Sequence, residues 1–340
     1  MNRTLKSLLR TLYYPREILL SEQFAYGHME IYRRFFGFEP NTILLAELQH
    51  GWVANPESIP QNDFSIRLRN RRLSKYPLLV WSRKIEKALN HPIERNVYAV
   101  CSPWSLLITE YERLRARGLA PSYFESPGSA LYFPGHSFPG FDFKFDVKKT
   151  ETMLKSQKFS SITTSLYWLD FINPNVREQF SRFSKLTCMG LRSPAATETP
   201  WHDVGGRVNF LYQLHKAISE HQVIVCAEFS TAAMAALTLG KKVFICEDKV
   251  QYELVHRSER NPILTSDNSL VLRNYGIKKS TSELGYDLSG SAKVLELAQV
   301  GFGFDVSAEE TRQILERFMG NQSINFQSKI MISDSNKVLW

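Results

Sequence analysis

Four short segments carry side chains able to do acid–base chemistry or to hold an anion. The first, ILLAELQHGW (Ile43–Trp52), runs from an apolar stretch straight into Glu47, Gln49, His50 and Gly51. A histidine with a pKa near neutrality can take a proton from a hydroxyl, and a carboxylate such as Glu47 can orient the ring and raise its basicity. Gly51 lets a backbone or substrate come close. The second, FPGHSFPGFDFKFDV (Phe133–Val147), sets His136 and Ser137 after another apolar stretch, with Asp142, an alternative base or nucleophile, and Asp146 beyond. The third, Val223–Cys246, delivers a buried strand to Glu228 and Phe229 and places Ser230 and Thr231 where a helix N-cap belongs. The helix that follows is built from Ala232, Ala233, Ala235 and Ala236, and its free N–H groups and dipole favour a phosphate. The fourth, SSITTSLYWLD, opens with Ser160 and Ser161 and closes with Tyr167, Trp168 and Asp170, offering hydroxyls to a phosphate or acceptor and rings to a base or sugar.

Two basic segments add to these. Arg67, Arg69, Arg71, Arg72 and Lys75 form a dense patch suited to phosphates, an anionic lipid surface or RNA, and Arg192 sits in the turn GLRSPA. Each segment also has an architectural reading: Ser230 as a plain cap, His50 as a loop histidine, Phe133–Val147 as a rigid connector, the arginines as a solvated face.

The elements that must position these groups follow from the apolar pattern. Strand-like runs at 42–48, 77–81, 97–101 and 130–134 alternate with helical segments at 82–89 and 105–118, the latter stopped by Gly118. After Phe133–Val147 a helix starts near Lys148, and the rhythm resumes with strands at 160–171 and 185–190, a helix at 207–221, and the βαβ unit QVIVCAEF–STAAMAALTLG–KKVFICED. The segment SAEETRQILERFMG carries Ser307 and Glu310 as a capping box, with Gly320 as its stop. This alternation is the signature of α/β layers with parallel sheets, and it predicts two Rossmann-like domains, 1–147 and 148–340, facing a central cleft.

Composition bounds the class. Of 340 residues, 43% are hydrophobic and 22% charged, an ordinary globular balance. Lys plus Arg is 42 against 34 for Asp plus Glu, a net +8 that calls for an anionic partner. Cys101, Cys188, Cys226 and Cys246 form no C-x-x-C pair, so buried free thiols and a reducing compartment are expected, and no zinc site. No stretch reaches the roughly 18 apolar residues of a membrane span. Leu5, Leu8, Leu9 and Leu12 share one helical face among basic residues, which suits either packing on the domain or lying on an anionic bilayer. A cytoplasmic protein, peripheral at most on the inner face of the membrane, is the expectation.

The strand, the Ser-Thr turn, the small-residue helix ending in Leu-Gly and the Lys-Lys-Val strand over Phe229–Ile245 resemble the nucleotide-sugar element of GT-B glycosyltransferases. Gln49-His50-Gly51 and Pro134-Gly135-His136-Ser137 resemble turns of bacterial capsule and lipopolysaccharide transferases, including polyglycerol-phosphate polymerases and sialic-acid or Kdo transferases. The resemblance implies a glycosyltransferase with a nucleotide-sugar donor, a CMP-nonulosonic acid or CMP-Kdo ahead of a UDP-sugar, and a glycan or glycolipid acceptor. It implies donor contacts from Ser230, Thr231, Glu228, Ser160, Ser161 and Arg192, and acceptor contacts from Gln49, Trp52, Arg71 and Arg72. Catalysis would fall to His50 with Glu47, or to His136 or Asp142. Many members carry a Glu one turn into the donor helix; here Ala233, Met234 and Ala235 stand there, and Glu228 is the available substitute. With no D-x-D motif in a loop, a metal-dependent GT-A enzyme is not expected, and no cofactor is needed. A GT-B-fold sugar-nucleotide epimerase would share the donor element. A basic nucleic-acid-binding protein would explain the charge, but no helix-turn-helix, RNA-recognition or zinc signature is present, so no nucleic acid partner is expected.

Overall fold

The computed structural model describes residues 27–39, 42–49, 51–52, 76–89, 96–120, 123–137, 141–189, 210–247, 249–254, 263–280 and 283–321. The first unit opens with α1 (His28–Phe36), whose Met29, Ile31 and Tyr32 are buried. It continues with β1 (Thr42–Leu44), β2 (Glu47–Leu48), β3 (Leu78–Val80), α2 (Arg83–Leu89), β4 (Val97–Ala99) and α3 (Pro103–Ala116). Ser102 caps α3 by accepting from the Ser105 N–H, Pro103 stands in its first turn, and Gly118 at φ +69° follows its end. Strands β2, β3 and β4 form a three-stranded parallel sheet.

The second unit holds β5 (Ser126–Phe133), β6 (Phe141–Phe143), α4 (Val147–Ser156), β7 (Ser161–Tyr167), α5 (Trp168–Phe171), α6 (Pro174–Ser181), β8 (Lys185–Met189), α7 (Phe210–Ser219), β9 (His221–Cys226), α8 (Thr231–Thr238) and β10 (Lys242–Ile245). Next come β11 (Lys249–Leu254), β12 (Ile263–Asp267), α9 (Asn268–Asn274) and β13 (Tyr286–Asp287). The main sheet has the order β13-β10-β9-β5-β7-β8 and is parallel except for β13. Alternate residues face opposite sides. Leu131, Ile224, Cys226, Val243 and Ile245 pack with α7 and α8, whereas Tyr132, Val225, Phe244 and Leu166 pack with Leu154 of α4 and Phe180 of α6. A parallel sheet covered on both faces is what such unbroken apolar strands require. A small antiparallel sheet, β12-β11-β6, stands beside it.

The chain then returns to the first unit through α10 (Ala292–Gly301), α11 (Ala308–Arg317) and β14 (Met319–Asn321). The class is α/β with two parallel sheets, as the alternation predicts. Three details differ from the sequence reading. Strand β5, expected to complete the first half, lies at the centre of the main sheet between β9 and β7, so the chain crosses between sheets before Ser126 rather than at 147–148. The stretch 42–48 is two strands: the Leu45 N–H bonds to Phe318, and the Glu47 N–H turns to Pro77. Gly320 does not stop a helix but pairs with Ile43 in the β1–β14 ladder, and Glu310, placed as the return half of a capping box, pairs with Arg83. Ser307 still caps, accepting from the Glu310 N–H at 3.1 Å.

One core runs through both units, from Met29 and Trp81 through Leu131 and Ile224 to Leu315. At their junction Trp104 Nε1 donates to Thr238 Oγ1 at 2.9 Å, and His215 sits among Trp104, Tyr111 and Tyr123. Burial, with Lys241 adding repulsion, holds His215 down to about 4. Its unfolded value is near 6.5, so the neutral ring contributes stability that is complete above that value and is lost as pH falls toward the folded one, by about 3 kcal/mol at most. Thermal unfolding of the wild type should therefore weaken more between pH 7 and about 4.5 than that of His215→Phe. Parallel melting curves for the two would rule out His215 as the source.

Candidate functional site

The main sheet reverses its winding between β5 and β9. From β5 the chain passes through α4, α5 and α6 on one face to β7 and β8; from β9 it passes through α8 on the other face to β10. Such a reversal opens a crevice at the carboxyl ends of the two central strands, where ligands of open α/β sheets bind. Pro134–Ser137 leave β5 at this point, and Ala227–Ser230 leave β9.

On the β9 side, Ser230 takes an extended conformation (φ −128°, ψ 169°) and caps α8, its hydroxyl facing the Ala233 N–H at 3.4 Å. Ala233, Ala235 and Ala236 are fully buried, so the helix start lies close on the sheet. Thr231 Oγ1 accepts the backbone N–H of Trp52 at 3.0 Å, and a Cβ on Gly51 would come within 3.3 Å of the same oxygen. The turn after β2 is thereby docked onto the start of α8, which brings together residues 179 apart in sequence. Asn268 clamps the turn from below: its Nδ2 donates to the carbonyls of Ala227 (3.0 Å) and Glu247 (2.9 Å), and its Oδ1 accepts from Phe229 N–H at 3.2 Å.

On the β5 side, His136 is exposed and its Nδ1 lies 3.1 Å from the Ser137 carbonyl. A carbonyl only accepts, so Nδ1 carries the proton and Nε2 is the basic nitrogen of the neutral ring. The ring lies against Tyr167 at 4.7 Å. Ser137 fixes this turn, its N–H donating to Asp170 Oδ2 at 3.0 Å and its hydroxyl accepting from Phe143 N–H at 3.0 Å. Gly135 is required by close approach, since a Cβ there would lie 1.8 Å from the Phe143 ring. Between the two sides stands Glu228. Tyr252 of β11 donates its hydroxyl proton to Glu228 Oε2 at 3.0 Å. Burial pushes the Glu228 carboxyl up, opposed by His136 and by the Tyr252 hydrogen bond, and burial beside Glu228 holds the Tyr252 hydroxyl far above its usual range.

Cavities of about 570 and 200 Å³ open on the opposite face of the sheet from the first unit. They adjoin at Asp146 and Lys149, and the smaller reaches Ala227 at the crevice. Lys149 Nζ pairs with Glu247 at 2.7 Å, which raises the ammonium. Among the described residues no three His, Cys, Asp or Glu side chains converge as metal ligands would, and no helix is long and apolar enough to cross a membrane.

Of the residues singled out by sequence, Ser230, Thr231, Glu228 and His136 meet at the crevice. Gln49 and Trp52 are buried in the junction. Gln49 Oε1 accepts from Trp81 N–H at 2.9 Å and its Nε2 donates to the Gly51 carbonyl at 2.7 Å, while Trp52 lies edge-on to Phe229 at 5.2 Å. What these two hold is the turn itself. Glu47 is buried at 1% exposure in β2. Ser160 and Ser161, expected at the donor, stand at the start of β7, the opposite edge of the parallel sheet from His136; Ser160 Oγ donates to Pro127 at 2.7 Å. Asp142 lies on β6 opposite Glu253 of β11. His50, Arg71, Arg72 and Arg192, with the rest of the basic patch and Leu5–Leu12, fall outside the described residues. Asn268 and Tyr252 escaped the sequence reading, because neither stands in a motif and each acts across the fold.

No family model and no curated protein matches this chain. Among solved structures it is similar to the UDP-GlcNAc 2-epimerase from Neisseria meningitidis bound to UDP-GlcNAc, at TM-score 0.36 and 14% identity, over 74% of this chain and 67% of that one. It is also similar to the wall teichoic acid polymerase TagF, at TM-score 0.31 and 14% identity, over 59% of this chain and 49% of that one. Both TM-scores lie below 0.5.

Asn268→Ala leaves the Phe229 N–H and two carbonyls without their partner, a loss of about 1–3 kcal/mol per buried group left unsatisfied. The variant should melt at a lower temperature than the wild type in thermal unfolding. Wild-type stability in Asn268→Ala would show that the clamp is dispensable.

Proposed function

We propose that this chain is a glycosyltransferase that moves a sugar from a nucleotide-activated donor, a CMP-linked nonulosonic acid or Kdo ahead of a UDP-sugar, to a glycan or glycolipid of the cell surface. The observation that carries the reading is the meeting, at one topological switch point, of a capped helix N-terminus with a histidine whose Nε2 is the basic nitrogen. The donor phosphates lie at the start of α8, where N–H groups, the helix dipole and the Ser230 hydroxyl hold negative charge without a metal. His136 Nε2 takes the proton of the acceptor hydroxyl, whose oxygen attacks the anomeric carbon as the nucleotide phosphate departs. His50 with Glu47 is the rival base proposed from the sequence, and Asp142 is the further competitor. The acceptor contacts proposed for Gln49 and Trp52 are through the turn they hold, joined by Arg71 and Arg72, and Arg192 adds to the donor side.

A thermal-shift screen of CMP, CDP, UDP and GDP tests the donor, because a ligand of the folded state raises its stability by mass action. Ser230→Ala should weaken binding of the stabilising nucleotide by about 1.5–3 kcal/mol, the value of a hydrogen bond to a charged group. Thr231→Ala should do so less directly, by releasing the Trp52 N–H. Unchanged affinity in both folded variants would move the donor elsewhere. The base is tested in turnover: His136→Ala should lose about 10²–10⁴ in rate while nucleotide binding survives. A dead His50→Ala beside a nearly normal His136→Ala would transfer the role to the first unit.

A further inference from the structure

We infer that Asp170 is the positioning residue of this site: through the backbone of Ser137 it keeps the ring proton of His136 on Nδ1 and leaves Nε2 free to act as the base. The inference rests on the reading of His136 as the group that takes the acceptor proton.

An exposed histidine is ordinarily free to change rotamer and to carry its proton on either nitrogen. His136 is exposed, yet the turn that carries it is held at three points. The Ser137 N–H donates to Asp170 Oδ2 at 3.0 Å, the Ser137 hydroxyl accepts the Phe143 N–H at 3.0 Å, and Gly135 packs its backbone directly on the Phe143 ring. With its amide and its side chain both anchored, Ser137 aims its carbonyl at His136 Nδ1, 3.1 Å away. A carbonyl at one ring nitrogen selects the tautomer with the proton there, because the hydrogen bond made by one nitrogen decides the state of the other.

The anchor that matters most comes from outside the turn. Asp170 lies in α5 beyond the end of β7 and is 3% exposed. Ser137 is buried as well, so solvent is a poor substitute for the carboxyl as acceptor of its N–H. The same segment supplies a second support: Tyr167, the last residue of β7, lies against the His136 ring at 4.7 Å. Tyr167, offered by the sequence to a base or sugar, thus serves with Asp170 to hold the histidine. Asp170 also borders the crevice, since after burial and Glu228 it helps to hold the Tyr252 hydroxyl above its usual range.

The test reads the ring nitrogens of His136 by nitrogen NMR of protein isotopically labelled in its histidines, the His136 signals being identified by their loss in His136→Ala. Wild type should show the ring protonated at Nδ1. Asp170→Ala should spread the proton to Nε2 and lower kcat for nucleotide release from CMP-N-acetylneuraminate or UDP-GlcNAc by about 10²-fold, with KM unmoved. Asp170→Asn keeps an acceptor oxygen for the Ser137 N–H and should recover the tautomer and most of that rate. Should Asp170→Ala fail to fold, Ser137→Ala, which frees the Phe143 N–H and loosens the same turn, should spread the proton in the same way. An unmoved tautomer in Asp170→Ala, or in Ser137→Ala where it stands in, overturns the inference. An Asp170→Asn as impaired as Asp170→Ala overturns it too. Normal turnover in His136→Ala overturns the reading of His136 as the base, whereas the ring signals, which need no substrate, decide the role of Asp170 separately.

Discussion

The hydrogen bond from the Trp52 N–H to Thr231 Oγ1 ties the first parallel sheet to the start of α8, and much else is arranged to keep that contact in place. Gln49 holds the turn from within, joining Gly51 to Trp81 on the neighbouring strand. The Trp52 ring fills the space over Gly301, where a Cβ would lie 2.0 Å from its Nε1. Asn268 fixes the other partner by binding three backbone groups around Ala227–Phe229. A helix N-terminus can serve a ligand only if its N–H groups are held in place before the ligand arrives, and these contacts supply that preorganisation.

The same junction bears on how charge is handled. Four polar groups stand within one crevice, each with its own set of neighbours. The α8 start offers partial positive charge, His136 offers a lone pair, Tyr252 stays protonated, and burial works against ionisation of Glu228. The net +8 of the chain adds a general attraction for anions.

Much of this was legible in the sequence where the signal is local. The Ser230 cap, the small-residue helix and the flanking strands are written in consecutive residues, and β3, β4, β7, β8 and β10 show as apolar runs. Sheet membership is not local. β5 looks like any buried strand, and only its pairing with β9 and β7 assigns it to the second sheet. The β6–β11–β12 sheet was missed because KVQYEL alternates weakly and pairs antiparallel with distant segments, and Tyr252 went unseen with it. Gly320 shows the converse: glycine after a helix reads as a stop, but Phe318 ends α11 and Gly320 continues into a strand.

The pairing of β1 with β14 sets an order of assembly. Thr42, Ile43 and Leu44 find their ladder partners only at Asn321, Gly320 and Met319, and Gly303 tucks under the carbonyls of Trp81 and Val100. Contacts of such long sequence separation slow folding, because loop closure must come before any gain from pairing. On a ribosome adding about 5–20 residues per second, β1 would wait on the order of tens of seconds for its partner strand, and the first sheet as long for its closing helices. Through that interval its apolar face, Leu44 and Trp81 included, is left for a chaperone or for the newly made second unit to shield.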